Sequence, residues 1–310
     1  MKKFLIIFIV AILFFTICFF TLYNKSSKTP LSEFAPFKNG YDKSINLIEN
    51  NLPKISSASA FYPLASSIVE STYNGNIYNN ELSLVSTSEA LDQLMSNKTD
   101  IAIVTSPSDE QKKLLNYEEI VFVPIAKEAL IFYTRTNNDI SSLSEEQIKD
   151  IYLGNITNWN ELGNKKSRKI KTFQLEKGNG SQTSFETIVN NNPIDNKNHF
   201  EVNDMGKIID NAANHNGSIG YAFNSFYTRM HNNKKLKLIN INEIEPSKEN
   251  ITSGKYPLMF DVYFVYNKYN SNSNIPILLD YLLSSQGQDL IKNNGLQPIE
   301  NWKEKSWHLF

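Results

Sequence analysis

From about residue 50 onward, apolar and polar positions follow two alternating rhythms. Short apolar runs of strand type cover Asp100 to Val104, Ala129 to Thr134, Lys169 to Gln174, Ser218 to Phe223 and the aromatic-rich Phe260 to Tyr266. Between them lie helical patterns. Ser144 to Leu153 carries Ile148, Ile151 and Tyr152 on one stripe and is closed by Gly154. Gln111 to Leu115 reads as a helix start, and Asp204 to Ala213 as a helix. Ile277 to Leu283 and Gln286 to Lys292 read as two terminal helical pieces parted near Ser284. No internal repeat is visible. Strands alternating with helices predict an α/β architecture.

A different pattern opens the chain. Lys2 and Lys3 precede a run from Phe4 to Tyr23 broken only by Thr16, Cys18 and Thr21. At 1.5 Å per residue such a run spans roughly 30 Å, the thickness of a bilayer's hydrocarbon core. It ends Phe19-Phe20-Thr21-Leu22-Tyr23, without the small residues that mark signal cleavage. An uncleaved signal anchor over residues 1–28 is expected, with the N-terminus inside. A lipid-modified Cys18 is the alternative, disfavoured by Ile17 before it. Residues 29–49, rich in Ser, Lys and Pro near their start, read as a linker.

Charge and composition narrow the partners. Four of the 31 basic residues (Lys2, Lys3, Lys25 and Lys28) precede the first acid, Glu33; 27 basic and 32 acidic side chains remain from residue 29 onward. That balance gives no sign of a nucleic-acid partner, and Lys234, Lys235 and Lys237 make only a short cluster. Cys18 is the one cysteine, so no disulfide is possible within the chain. His199, His215, His231 and His308 lack metal-ligand spacing, and no cofactor is expected.

The chemistry sits at three corners where a strand runs into small hydroxyl residues that open a helix. They are Ser56-Ser57-Ala58-Ser59-Ala60-Phe61-Tyr62-Pro63, Thr105-Ser106-Pro107-Ser108-Asp109 and Gly178-Asn179-Gly180-Ser181-Gln182-Thr183. Ser106 with Asp109, and Thr183 with Glu186, have capping-box spacing. A further cap is expected at Thr87-Ser88-Glu89. The first amides of a helix lack partners within it, and its dipole puts partial positive charge there. Several such ends aimed at one point would hold a tetrahedral anion. Ser and Thr also cap helices with no ligand nearby, and convergence of the corners is a tertiary property.

Several strings carry a family likeness: Ala60-Phe-Tyr-Pro-Leu64, Tyr152-Leu-Gly-Asn-Ile-Thr-Asn-Trp159, Gly180-Ser-Gln-Thr183, Gly217-Ser-Ile-Gly-Tyr-Ala222, Ser253-Gly-Lys-Tyr-Pro-Leu258 and Ser285-Gln-Gly-Gln-Asp289. In order and spacing, from Leu52 to Ile299, the chain resembles the phosphate-binding proteins of bacterial phosphate ABC importers. The most specific string ends in Trp159, expected to be a packing residue. The resemblance implies a two-lobed type II periplasmic-binding-protein fold. Residues 50–129 with 258–310 would form one lobe and 130–257 the other, with crossings near Ala126 to Leu130 and Leu258 to Val262. It places ligand contacts at Ser59 and Ala60, at Ser88, at Thr105, and at Asn179, Gly180 and Ser181.

The chain departs from that pattern at charged positions. The family has Asp near Thr105, Arg at the position of Leu175 and Asp at that of Lys177. A buried donor or acceptor left unpaired costs about 1–3 kcal/mol, so a site without that Asp would suit a fully ionised oxyanion as well or better. Lys177 and Glu176 are possible replacement charge partners, or both face solvent.

The resemblance implies a monomeric, extracytoplasmic solute receptor. It would capture inorganic phosphate or a related oxyanion for an ABC permease, and residues 4–23 would tether it to the outer face of the membrane. The altered charges keep a second expectation open: a membrane-anchored relative with lost or changed anion binding, acting as a sensor or interaction module. Enzyme chemistry is not expected. Asn179 and Thr183 stand where a Gly-x-Ser-x-Gly nucleophile motif around Ser181 would need glycines, and no histidine lies near a corner in sequence.

Overall fold

The computed structural model describes residues 45, 47–48, 51–73, 82–116, 118–190, 199–202 and 204–299. The expected anchor and most of the linker lie outside these residues. Among the described residues no helix is long and apolar enough to cross a membrane.

The strands are β1 (Ile55–Ala58), β2 (Leu82–Val85), β3 (Ile101–Thr105), β4 (Ile120–Arg135), β5 (Ser142–Leu143), β6 (Lys171–Leu175), β7 (His199–Val202), β8 (Ser218–Phe223), β9 (Leu236–Ile241), β10 (Met259–Asn267) and β11 (Gln297–Pro298). The helices are α1 (Tyr62–Thr72), α2 (Thr87–Met95), α3 (Asp109–Leu114), α4 (Glu145–Leu153), α5 (Gly180–Ile188), α6 (Met205–Asn214), α7 (Asn224–Arg229), α8 (Lys248–Thr252), α9 (Asn274–Leu283) and α10 (Ser285–Asn293). Short 3-10 turns cover Ser59–Phe61 and Trp159–Leu162.

Pairing runs β2-β1-β3-β10-β4-β8-β6-β7. β1 is parallel to β2 and β3, and β6 is parallel to β7 and β8; β10 lies antiparallel between β3 and β4. Strands 3, 4 and 8 are buried almost throughout, as sheets flanked by helices require.

β4 organises the whole. Its residues Ile120 to Ala129 pair with β10, and Leu130 to Arg135 pair with β8 and β9. The apolar run at Ala129–Thr134 is therefore only the end of a 16-residue strand. Beside it the chain returns through Leu258, whose carbonyl accepts from the Leu130 amide at 2.9 Å. The β10–β4 register slips between Val262 and Tyr263, a local bulge beside this passage.

Local capping explains where helices begin. The Ser144 hydroxyl accepts from the Gln147 amide at 3.0 Å, and the Gln147 side chain accepts from the Ser144 amide at 2.9 Å. Gly154 closes the same helix at φ 80°. Two expected boxes shift. The α3 box is Ser108 with Gln111, not Ser106 with Asp109, so Pro107 precedes the helix. At α5 the cap position is Asn179, and Thr183 instead donates to the Asn179 carbonyl at 3.3 Å. Trp159 is fully buried, with its indole N–H on the Gly217 carbonyl at 2.9 Å. Gly217 itself has φ 80°, and an added Cβ would sit 2.3 Å from the Lys169 carbonyl.

One buried carboxyl stands at the passage along β4. Glu128 is 0% exposed and accepts from the Ala129 amide at 2.9 Å, from the Ser225 amide at 3.4 Å and from the Ser225 hydroxyl. It thereby caps the start of α7. Burial pushes its pKa from 4.5 to about 7, with the hydrogen bonds from Ser225, Ala129 and Asn224 pulling the other way. The Arg229 guanidinium feels this charge and donates to the Asn293 and Asn294 carbonyls. The folded value lies above the ordinary one. The bound proton therefore stabilises the fold below about pH 4.5, and that gain is lost as pH rises through about 7. Between about pH 5 and pH 8 the parent should lose up to about 3 kcal/mol that Glu128→Gln does not lose, read from urea denaturation at each pH. Equal pH dependence in the two proteins would refute the assignment.

Candidate functional site

In open α/β sheets, ligands gather outside the carboxyl ends of the parallel strands, because the helices that follow begin there. Four such starts line a single cavity of about 190 Å³. The corner after β1 contributes Ala58, Ser59 and Ala60, and the start of α2 contributes Ser86 and Thr87. Asn179, Gly180 and Ser181 come from the start of α5, and Asp204 and Met205 from that of α6. Leu175 at the end of β6, with Phe223 and Phe226, lines the rest together with Val85.

Two of these starts are left without a side-chain cap. Neither the turn at Ser59 nor α5 has its first amides satisfied by a capping side chain. The other two are occupied: the Ser86 hydroxyl accepts from the Glu89 amide at 3.1 Å, and the Asp204 Oδ1 accepts from the Lys207 amide at 3.1 Å.

Around Gly180 three hydroxyls converge with no hydrogen-bond partner. Thr87 and Thr105 are 0% exposed and Ser181 2%, and the Oγ atoms of all three are buried and unpaired. A Cβ on Gly180 would lie 2.3 Å from Thr105 Oγ1 and 2.6 Å from Thr87 Oγ1, so only glycine lets α5 come this close. Buried polar atoms normally have partners, and these three, two of them facing Gly180 and one on the residue after it, have none.

Behind the cavity a buried network fixes α5. The Leu175 amide donates to Tyr221 Oη at 3.1 Å and to Gln182 Oε1 at 3.2 Å, and the Tyr221 hydroxyl donates to the same Gln182 oxygen. Burial drives the Tyr221 pKa well above its ordinary value, so the phenol stays a neutral donor.

The residues expected from sequence fall into three groups. Ser59, Ala60, Asn179, Gly180 and Ser181 line the cavity. Thr105 stands just behind Gly180, with its hydroxyl turned to that glycine. Ser88 is not among the lining residues: its hydroxyl accepts from the Gln111 amide group, and its backbone N–H donates to the Gly178 carbonyl at 3.3 Å. The cap of α2 is Ser86, one turn position earlier than expected, and this puts Thr87 on the cavity. Glu176 and Lys177 are exposed and do not line this cavity; the Lys177 charge acts instead on Glu110, whose pKa it helps to lower after backbone and Ser108 hydrogen bonds. Asp204, Met205 and Phe226 were not foreseen. The strand–cap–helix rule would have found Asp204 had β7 been read as a strand.

This fold and cavity define a class: a periplasmic-binding-protein-like α/β protein with its site at converging helix starts. The chain belongs to the PBP superfamily, whose domain profile matches residues 50–285. It is similar to the phosphate-binding protein PstS of Borreliella burgdorferi, 29% identical over 192 residues, covering 59% of this chain and 66% of that protein. It is also similar to PstS of Staphylococcus saprophyticus, 26% identical over 215 residues, 65% of this chain and 66% of that one. The chain thus spans just under two thirds of the length of these relatives. Its fold is that of a Clostridium perfringens structure assigned as a phosphate ABC transporter substrate-binding protein with bound phosphate. The TM-score is 0.67 at 23% identity, over 80% of this chain and 99% of the other.

Thr87→Val should leave the fold without ligand as stable as the parent or about 1 kcal/mol more stable, because it deletes an unpaired buried hydroxyl. Gly180→Ala should cost about 1–3 kcal/mol through the contacts its methyl would force. Urea denaturation midpoints measure both; a Thr87→Val variant destabilised as much as Gly180→Ala would mean the hydroxyl has a partner.

Proposed function

We propose that this protein is an extracytoplasmic solute receptor that captures inorganic phosphate, or a related tetrahedral oxyanion, for an ABC importer. The observation that carries the reading is the set of unpaired hydroxyls and uncapped amides gathered on one cavity. The names of the relatives in the two bacteria point the same way. Residues 50–129 with 258–310 act as one lobe and 130–257 as the other, hinged where β4 and β10 pass between them. Two contacts between the proposed lobes support this: the Ser88–Gly178 backbone bond and the stacking of Phe61 on Phe223 at 5.3 Å.

Ser59, Ala60, Asn179, Gly180 and Ser181 would donate to the anion, with Thr87 supplying a hydroxyl and Thr105 standing behind Gly180. Transition from an open to a closed form on binding is the signal a permease would read. Residues 4–23 tether the monomer to the outer face of the membrane. No reacting nucleophile is needed for this role.

A second reading has one observation in its favour. Among the described residues no Lys or Arg lines the cavity, and the one carboxylate there is Asp204. A receptor that had given up tight oxyanion capture to act as a sensor would lack cations there too. Calorimetry of the purified protein with phosphate, sulfate, molybdate and tungstate separates the two. The receptor reading expects saturable heat with at least one of them. That ligand at about a hundred times its Kd should stabilise the protein by about 2.7 kcal/mol. Absence of heat with all four would leave the sensor.

A further inference from the structure

Lys234, Lys235 and Lys237 form only a short cluster along the chain, but folding adds to it. β4 ends at Arg135, and β6, β8 and β9 begin beside it at Lys171, Ser218 and Leu236. The segments that meet there are 135–139, 163–171, 214–217 and 231–237. Backbone bonds stitch them together: the Thr136 amide donates to the Lys235 carbonyl and the Lys171 amide to the Gly217 carbonyl, both at 2.9 Å. This end of the sheet is not the cavity end. β6 and β8 meet the cavity at their other ends, Leu175 and Phe223, and the length of β8 puts roughly 17 Å between its two ends.

These four segments hold nine Lys and Arg residues and one carboxylate, Asp139. Of the 27 basic and 32 acidic side chains from residue 29 onward, 18 and 31 are left elsewhere. Positive charge is thus gathered at one end of an otherwise acidic protein. Among the described residues, none of the nine lies within ion-pair distance of a carboxylate. Three lean on neutral amides instead. Arg135 Nη1 donates to Asn216 Oδ1 at 2.7 Å, Arg168 Nη1 to Asn137 Oδ1 at 3.1 Å and Lys235 Nζ to Asn214 Oδ1 at 3.3 Å. An amide places a cation without cancelling its charge. Asp139 has its Oδ2 on the Lys165 backbone amide at 3.3 Å. Lys165, Lys166, Lys169, Lys234 and Lys235 are exposed.

We propose that this end of the fold docks on an anionic phospholipid surface. The inference rests on the membrane tether of the proposed function and not on the oxyanion. Residues 24–44 separate the apolar run from the first described residue, and a chain of that length reaches at most about 70 Å. A bilayer kept this close offers charged headgroups across a plane, which suits cations drawn from four separate segments. Each Lys or Arg brought near such a surface favours docking about fivefold.

The test uses the full-length chain in lipid nanodiscs, of phosphatidylcholine alone or with about one third phosphatidylglycerol, and in native membrane vesicles as a third arm. A brief pulse of a water-soluble amine-acylating reagent is read by mass spectrometry. Lys165, Lys166, Lys234 and Lys235 should react several-fold more slowly in the anionic discs, and about 0.5 M salt should remove the difference. The exposed Lys98 and Lys248 should react alike in both. Lys165→Gln, Lys166→Gln and Lys169→Gln together should weaken docking about a hundredfold and restore the reactivity of Lys234 and Lys235. If that variant fails to fold, the salt dependence of the parent decides. Equal reactivity in the two discs overturns the inference, and so does slowing of Lys98 and Lys248 as large as that at the patch. Protection seen only in native membranes assigns the patch to an acidic protein and overturns the lipid. A chain that stays with neither disc overturns the tether and this inference together, while calorimetry with phosphate decides the receptor reading separately.

Discussion

The structure depends on one property of the peptide backbone: a helix begins with amides that have no partner inside it. Two parallel sets of strands, β1 with β2 and β6 with β7, run in opposite senses across β10 and β4, and each delivers such beginnings at its carboxyl ends. In this chain β1, β2, β6 and β7 each hand over to a turn or helix at the same cavity. The sites differ in what already occupies their amides. Ser86 and Asp204 satisfy their own helices, whereas the starts at Ser59 and Gly180 remain open. Partial positive charge therefore faces the cavity without a lysine or arginine.

Much of the fold was legible in the sequence because local signals and burial agreed. Ser218–Phe223 is a strand in both, and Ser144, Gln147 and Gly154 bound the α4 helix where pattern and capping placed it. The capping residues around the site were less legible. Ser106 and Ser108 are chemically alike, and only the approach of Gln111 decides between them. One residue separates Ser86 from Thr87, and that step determines whether Thr87 or Ser88 meets the cavity. β7 went unread, so the start of α6 was seen as a helix without a place in the site. Phe226 and Met205 are ordinary core residues by type; their place on the cavity follows from two separate segments meeting there. No rule of spacing contains that information.

The stretch where β4 passes from β10 to β8 and β9 carries a buried carboxyl. Glu128 holds the first turn of α7, and Arg229 at the other end of that six-residue helix reaches the carbonyls of Asn293 and Asn294. A short helix is thus tied at its start to the middle of the chain and at its end to residues 293 and 294. Any movement about β4 and β10 has this linkage beside it. The Lys127–Asp261 pair at 2.7 Å spans the same two strands on the surface, where screening by water makes it a minor contributor.

The strand order has a consequence for biosynthesis. β10 sits between β3 and β4, yet it is made more than a hundred residues after them. Until residue 267 has left the ribosome, the facing edges of β3 and β4 have no strand between them and expose unpaired amides and carbonyls. Early segments must therefore wait for late ones, and anything that delays the last third of translation prolongs a state prone to mispairing with other chains.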